Sequence, residues 1–234
     1  MRPKGPVMAI IEAKAVFKTY DTGKVKVEAL KGVDLIVEKG EMMAIMGPSG
    51  CGKTTMLNCL SGLDDLSGGH VFLEGKDIHA MKDDERTVYR AQKMGFIFQN
   101  FNLLPVLTAA ENVELPLLLV GVSLKEAREK AIKALALVGM EQRKDHKPAE
   151  LSGGQQQRVT IARSLVNEPA IVWADEPTGN LDTDNSAEVM ELMRTLNKEK
   201  GLTFVIVTHD PGVGKKCQRI VEMQNGLIIK EVRS

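Results

Sequence analysis

Aromatic residues make up only 4% of this 234-residue chain: one Trp, two Tyr and six Phe. So sparse a set argues against a base-stacking platform for nucleic acid. Neither sign of charge is in excess. There are 31 Lys and Arg against 31 Asp and Glu, so no global basic field draws the chain toward polyanions. Cysteine is limited to Cys51, Cys59 and Cys217. They have no paired or metal-ligand spacing, a usage that fits a reducing cytosol. Long apolar runs are missing too. The longest, Leu115 to Val122, contains Pro116 and Gly121 and falls far short of the ~20 residues that span a bilayer. The lead-in Met1-Arg2-Pro3-Lys4-Gly5-Pro6 is polar and proline-broken, so no signal peptide is expected. Any membrane role is expected to run through a partner. There is no internal repeat or low-complexity segment. A hydrophobic content of 43% and a charged content of 26% are ordinary for a globular chain.

What is present begins with residues 47–55, Gly-Pro-Ser-Gly-Cys-Gly-Lys-Thr-Thr, directly behind the apolar run Met42-Met43-Ala44-Ile45-Met46. A strand feeding a glycine-rich loop that opens a helix fits G-x-x-x-x-G-K-[ST], the phosphate-cradling P-loop. Gly47, Gly50 and Gly52 permit backbone conformations closed to residues with a Cβ. Loop N–H groups can then converge on phosphate oxygens at a helix N-terminus, where the dipole also favours anions. Lys53 adds a full charge for the β- and γ-phosphates. The Thr54 hydroxyl is a hard donor suited to Mg²⁺. The implied ligand is ATP or a related nucleoside triphosphate with Mg²⁺, cradled by Gly47, Pro48, Ser49, Gly50, Cys51, Gly52, Lys53, Thr54 and Thr55. Cys51 lies inside this loop, which predicts that ATP protects it from alkylation.

The remaining pattern predicts β segments at 8–20 and 25–37, with Val33, Leu35 and Val37 alternating and a turn near Thr22-Gly23. Short strands are expected at 42–46, 70–74, 95–98, 170–174 and 203–207. Helices are expected at 53–62, 83–92, 154–167 and 186–200. Between Thr108 and Met140, Leu124, Ala127, Ala131, Leu135 and Val138 follow helical spacing, and Ser123 with Glu126 suggests a capping box. Segments 220–223 and 227–230 flank Asn225-Gly226, a two-residue hairpin turn. Alternating strands and helices predict an α/β fold with a P-loop core and a mostly parallel sheet. Beside it are expected an antiparallel β subdomain and an inserted α-helical subdomain. The chain is read as one domain over 1–234, with core segments 1–99 and 151–234. The helical subdomain is placed at about 100–150, its last helix continuing to about 167.

Two further signals carry chemistry. In Ile171-Val172-Trp173-Ala174-Asp175-Glu176, two carboxylates end an apolar strand, the end where open α/β sheets bind ligands. Asp175 is placed to hold Mg²⁺ through water, and Glu176 to polarise an attacking water. Residues 151–158, Leu-Ser-Gly-Gly-Gln-Gln-Gln-Arg, open a helix. Ser152 and Gly154 there offer a hydroxyl and bare N–H groups, a second anion site.

With Leu151, Ser152, Gly153, Gly154 and Gln155 in place, the chain resembles the ATP-binding cassette family, from Ala9 to about Glu231. The resemblance implies an ATPase whose two copies, head to tail, each lay this signature over the other's ATP. It implies that Gln99 is a Q-loop glutamine touching Mg²⁺ and water, and that Asn180-Leu181-Asp182 is a D-loop crossing the dimer interface. It likewise makes His209 a switch histidine contacting the γ-phosphate and orienting Glu176, and Tyr20 the aromatic that stacks on adenine. The stretches Tyr20-Asp21-Thr22-Gly23, Phe98 to Pro105 and Asp175 to Asp182 most resemble lipoprotein-releasing, macrolide-exporting and FtsE-like ATPases. A permease partner is implied, docking near Gln99–Pro105 with Phe101, Leu103 and Leu104 as contacts and Phe96 and Phe98 as core. The implied location is cytoplasmic, peripheral on the inner face of the membrane. The implied work is export, extraction from a membrane or mechanotransmission. The alternative is a soluble cassette ATPase acting on nucleic acid or ribosomes. It sits poorly with balanced charge, a single P-loop and no heptad run. Trp173 departs from the aliphatic residue usual in that strand, and its buried N–H is expected to need a partner.

Overall fold

The computed structural model describes residues 9–21 and 23–233. The lead-in Met1–Pro6 and Thr22, at the expected first turn, lie outside them. The chain forms two compact units, residues 1–86 with 197–234 and residues 87–196.

The first unit holds two sheets. β1 (Ala9–Asp21) pairs antiparallel with β2 (Lys26–Glu38) on one side and β4 (Gly68–Leu73) on the other, and the short β5 (Lys76–Asp77) completes the order β2-β1-β4-β5. Val33, Leu35 and Val37 are all buried, so the period-two reading of β2 holds. The pattern gave no sign of β5. Its turn, Glu74-Gly75, has φ of 50° and 78°, both left-handed as a tight hairpin requires. The second sheet has β3 (Met42–Met46) at its centre, parallel to β8 (Phe204–Thr208) and to β9 (Arg219–Gln224). β10 (Leu227–Arg233) returns antiparallel to β9 through Asn225-Gly226, with φ of 50° and 80°. Met42 to Ile45 and Phe204 to Val207 are buried on both faces. A covered parallel sheet demands such continuous apolar runs rather than alternation. α1 (Lys53–Leu60) follows β3.

An ion pair is sunk into this unit. Arg219 and Glu41 are 4% and 7% exposed, with Arg219 Nε 3.0 Å from Glu41 Oε1. Arg219 also donates to the Ile36 carbonyl and reaches Glu231 at 3.2 Å. It thereby joins β9, β10, β2 and the start of β3.

In the second unit β6 (Met94–Phe98) runs parallel to β7 (Ile171–Asp175), in a register that pairs Phe98 with Asp175. α3 (Ala109–Leu119), α4 (Leu124–Leu137) and α5 (Gly153–Leu165) pack together. α2 (Asp83–Lys93) and α6 (Thr183–Lys200) straddle the two unit boundaries. A Cβ on Gly95 would sit 2.1 Å from the Ser164 carbonyl, so only glycine lets α5 lie this close to β6. The capping box expected at Ser123 is half made. Its hydroxyl accepts from Glu126 N at 3.4 Å, but the Glu126 carboxylate turns to Lys130 instead. Leu124 is 65% exposed, whereas Ala127, Ala131 and Leu135 are buried. A complete box stands at Thr108 and Glu111, opening α3. Asn112, fully buried, donates to the carbonyls of Leu104, Leu107 and Thr108 and accepts from Leu104 N, closing the loop before that helix.

Trp173 is fully buried in β7, yet its Nε1 has no hydrogen-bond partner among the described residues. The expected partner is missing. Burying roughly 150–250 Å² of aromatic surface at about 25 cal/mol per Å² contributes ~4–6 kcal/mol, more than the ~1–3 kcal/mol cost of one unmade bond. Packing therefore wins.

Breaking one side of the buried ion pair is expected to be costly. Arg219→Met should lose about 3–5 kcal/mol in urea unfolding, because Glu41 is left charged and unpaired. Adding Glu41→Leu should recover much of that loss. A single-variant loss below ~1 kcal/mol would contradict the assignment.

Candidate nucleotide-binding site

On the first unit the loop of residues 47–52 is wedged from behind. A Cβ on Gly47 would lie 2.2 Å from the Met223 carbonyl, and one on Gly52 2.6 Å from the Ala29 carbonyl. Both glycines have positive φ, 155° and 104°. A Cβ on Gly50 would meet nothing within 4 Å, so the loop is pressed on its back and open elsewhere. Gly226 N donates to Cys51 O at 3.0 Å, so the β9–β10 turn also braces it. Lys53 is buried, and its Nζ donates to Gly47 O at 2.8 Å and Pro48 O at 3.0 Å. The ammonium is thus folded over the loop. α1 starts at Gly52 with no side-chain cap and no acidic residue in its first turn. A helix start of that kind favours an anion, which fits a phosphate.

Tyr20 is next to last in β1 and 40% exposed. Its hydroxyl donates to Asp64 Oδ2 at 2.6 Å, and Lys18 Nζ lies 4.8 Å from the ring centroid. Lys18 also bonds Asp64 Oδ1 and the Asp65 carbonyl, each at 2.7 Å. Burial works against ionisation of Asp64, but the Lys18 and Tyr20 hydrogen bonds outweigh it and hold the carboxyl below its ordinary range. The ring is therefore fixed in place while still offering surface for stacking. His209 follows β8 and, with Gly47 and Pro48, lines a cavity of about 650 Å³. The structure thus brings the P-loop and His209 together.

On the second unit Gln99, Asp175 and Glu176 stand at the ends of the paired strands β6 and β7. Glu176 has φ of 46°, a left-handed turn that redirects the chain directly after Asp175. Such strain on a non-glycine costs of order 1–3 kcal/mol and gathers at functional sites. The signature opens α5 through a reciprocal cap. Ser152 Oγ accepts from Gln155 N at 3.3 Å, and Gln155 Oε1 accepts from Ser152 N at 3.0 Å. The Ser152 hydroxyl keeps its proton for an outside acceptor, while its backbone N–H is committed. A Cβ on Gly154 would meet Asn185 Oδ1 at 2.2 Å, and one on Gly153 would meet Leu181 at 3.4 Å. Gly154 is thus packed tightly against the Asn185 side chain at the start of α6 (Thr183–Lys200), whereas Gly153 has ordinary room. Asp182 caps α6, its carboxylate accepting from Asn185 N at 2.8 Å and from Asn185 Nδ2 at 2.6 Å.

The family model described as ABC transporter matches residues 30–179, more than half of the chain. The chain belongs to the ABC transporter family. It is 46% identical over 226 residues to a macrolide export ATP-binding/permease protein of Syntrophobacter fumaroxidans, covering 96% of this chain and 32% of that protein. It therefore spans about a third of that relative's length. It is also 46% identical to a lipoprotein-releasing system ATP-binding protein of Legionella pneumophila, covering 93% of this chain and 96% of that protein. Among solved structures, the ATP-binding cassette MJ0796 of Methanocaldococcus jannaschii, a dimer bound to ADP and Pi, matches with a TM-score of 0.87 and 44% identity. That match covers 95% of this chain and 98% of the other. The α/β architecture with a mostly parallel sheet and an antiparallel sheet is that of the ABC transporter family.

Three residues that sequence reading passed over hold this site in shape. Gln157, fully buried in α5, donates to the Pro177 carbonyl and accepts from Thr160 Oγ1. Arg163 fixes the Phe101 and Asn102 carbonyls at 2.8 and 2.6 Å. Burial pushes its pKa down, so its charge is held by those carbonyls instead of by water. Asn185 is the third. The available signal was helical spacing: Gln157 and Ser164 share the buried stripe of α5 with Thr160 and Ile161, a place where polar groups need partners. Phe96 and Phe98 are half-buried instead of core. Their rings stack at 6.0 Å and line a groove of about 400 Å³ with Arg90, Leu119 and Arg163.

All three cysteines are buried. Burial pushes the Cys59 and Cys217 thiols up to about 12, so at pH 8 only about one in ten thousand is thiolate. The Cys51 sulfur lies against Gly47, 2.8 Å from where its Cβ would be. In native protein at pH 8, iodoacetamide should therefore modify Cys51 first, and ATP should slow that reaction. Peptide mass spectrometry reads both. Earlier labelling of Cys59 or Cys217, or no protection by ATP, would contradict this.

Proposed function

We propose that the chain is the ATP-hydrolysing subunit of a membrane complex and works as a nucleotide-driven clamp. The observation that carries this reading is the uncapped N-terminus of α1, with the Lys53 ammonium folded over a braced glycine loop. A helix N-terminus with no side-chain cap and no acid in its first turn, beside a lysine ammonium, favours an anion. The signature at the start of α5 is built differently. It has a hydroxyl and bare glycines but no lysine, as suits a secondary grip on a phosphate already held elsewhere. Two copies arranged head to tail would bring the Ser152 end of one to the ATP of the other. The dimeric state named for the MJ0796 cassette supports that arrangement.

Residue roles follow. Gly47 to Thr55 cradle the triphosphate, Lys53 neutralises it, and Tyr20 stacks on adenine, worth ~1–3 kcal/mol by analogy with base–aromatic contacts. Glu176 orients the attacking water, His209 holds the γ-phosphate, and Asn180, Leu181 and Asp182 serve the dimer contact. The proposed Mg²⁺ donors are Thr54 on the first unit and Gln99 and Asp175 on the second, all hard oxygens. When bound, Mg²⁺ supplies the charge that offsets the β- and γ-phosphates. The functional division remains a core of 1–99 and 151–234 with a helical subdomain at about 100–150. ATP favours the closed dimer because it binds that state better than the open one, the requirement for any ligand-driven switch. Hydrolysis removes the bridge.

No helix among the described residues is long and apolar enough to cross a membrane, so coupling to a bilayer requires a partner. The half-buried groove at Phe96, Phe98 and Leu119 suits a short helix of a permease. Leu104 and Val106, 47% and 73% exposed, offer further apolar surface in the segment after β6. Relatives named for lipoprotein release and macrolide export support extraction or export as the work done. The location proposed is the cytoplasmic face of the membrane.

Glu176→Gln should abolish ATP turnover and let an ATP-bound dimer accumulate, seen by size-exclusion chromatography with ATP and Mg²⁺. Turnover near the parental rate would remove Glu176 from its role. With the cognate permease, Leu104→Asp should cut permease-stimulated ATPase activity at least ~10-fold more than activity of the cassette alone, since a desolvated contact carries ~1–2 kcal/mol or more. Equal effects on both would count against docking there.

A further inference from the structure

The loop after β6 is held at both ends by side chains. At its far end Phe101 and Asn102 have φ of 59° and 51°, two consecutive left-handed non-glycine residues, and Arg163 clamps both of their carbonyls. At its near end stands Asn180. Asn180 Nδ2 donates to Gln99 O at 3.1 Å and to Asn100 Oδ1 at 2.9 Å, and Gln99 Nε2 donates to Asn180 Oδ1 at 3.2 Å. The Gln99 side chain packs closely against Gly179, where a Cβ would meet its Nε2 at 2.7 Å.

The donor and acceptor roles in this clasp admit one solution. A main-chain carbonyl can only accept, so the Asn180 nitrogen must face Gln99 O. That leaves Asn180 Oδ1 facing the Gln99 side chain, and an acceptor there requires Gln99 to present Nε2. The Gln99 oxygen, Oε1, is then the atom left outside the clasp. Turning the Gln99 amide over would oppose two oxygens and leave the NH₂ group, which cannot ligate a cation, facing away from Asn180. We infer that Asn180 is a positioning residue, whose side-chain amide sets the orientation of Gln99 so that a hard oxygen and not an NH₂ group is offered to Mg²⁺. This rests on the reading of Gln99 as a Mg²⁺ ligand. It gives Asn180 a task within its own chain, apart from the dimer contact proposed for the D-loop.

The test is a double-mutant cycle in the full chain, in a Glu176→Gln background so that ATP is not consumed. Calorimetry measures the ATP dissociation constant in EDTA and in Mg²⁺, and the ratio of the two is the gain that the metal brings. Gln99→Ala and Asn180→Ala should each shrink that gain ~10-fold, the lower end of what outer-shell partners of metal ligands contribute. The constant in EDTA should stay within ~2-fold, which a general structural defect would not allow. At protein concentrations where size exclusion shows monomer, so that the dimer contact plays no part, the double variant should be no worse than Gln99→Ala, because Asn180 affects the metal's gain through Gln99. Asn180 is exposed, so its truncation leaves the core untouched, and melting curves verify that each variant folds. An unaltered gain in Gln99→Ala would overturn the metal role of Gln99 and the inference with it. A reduced gain in Gln99→Ala with a parental gain in Asn180→Ala, or additive losses in the double variant, would overturn the inference alone.

Discussion

A glycine loop that turns its backbone toward a helix N-terminus, where a phosphate would sit, must be supported from behind. Here the support is steric contact between main chains. Gly47 abuts the Met223 carbonyl and Gly52 the Ala29 carbonyl, at separations that admit no Cβ. Ala29 belongs to β2 of the antiparallel sheet, and Met223 to β9 beside β3. Both sheets of the first unit thus converge on one loop. The buried Arg219–Glu41 pair ties the same strands together one layer below. An ion pair so placed contributes less net stability than its charges suggest, because desolvation offsets much of the attraction. Its geometry nonetheless joins β2, β3, β9 and β10.

The second unit solves a different problem with a different bond. The ends of β6 and β7, the Gln99–Asn102 loop, the Asn180–Asp182 turn and the start of α5 carry little apolar surface of their own. Carboxamides and one guanidinium connect them. Asn180 bridges the first loop to the turn, Asn185 joins the turn to the signature glycines, Gln157 reaches the segment after Glu176, and Arg163 holds the strained carbonyls. Such groups both donate and accept, or donate in a fixed fork, so they specify orientation where apolar packing specifies only proximity. A site that must change partners during a cycle benefits from contacts that are directional and individually modest, about 0.5–1.5 kcal/mol each.

Much of this was legible in the residue order. Strands β3, β7 and β8 announce themselves as short continuous apolar runs, because parallel strands are covered on both faces. The hairpin at Asn225-Gly226 was readable because few residues tolerate two positive φ angles in succession. The glycine loop, the paired acids and the Ser152 segment stood out by residue type and spacing, and they lie where that spacing put them, at the start of α1, the end of β7 and the start of α5. Errors arose where long-range contacts decide. Leu124 fits the helical stripe but sits in the first turn of α4, beyond its neighbours' cover, and is exposed. Phe96 and Phe98 look like core residues but face an open groove. Ser123 and Glu126 have cap spacing, yet Lys130 one turn on competes for the carboxylate. Trp173 was expected to find a hydrogen-bond partner and is held by packing alone.

The residue order by itself determined the ligand chemistry, the family and the order of elements, since each rests on local spacing or on residue types that one chemistry demands. Only the tertiary structure decided which glycines are irreplaceable, which amide faces which, and what holds the loops after β6 and β7. Those facts depend on approaches of a few ångströms between segments tens of residues apart. Gly95 against Ser164, Gly154 against Asn185 and Gln99 against Asn180 are pairs that no local pattern encodes. Glycine reports only that a side chain is absent, and an amide only that it can bond both ways. The partner that gives either its purpose is supplied by the fold.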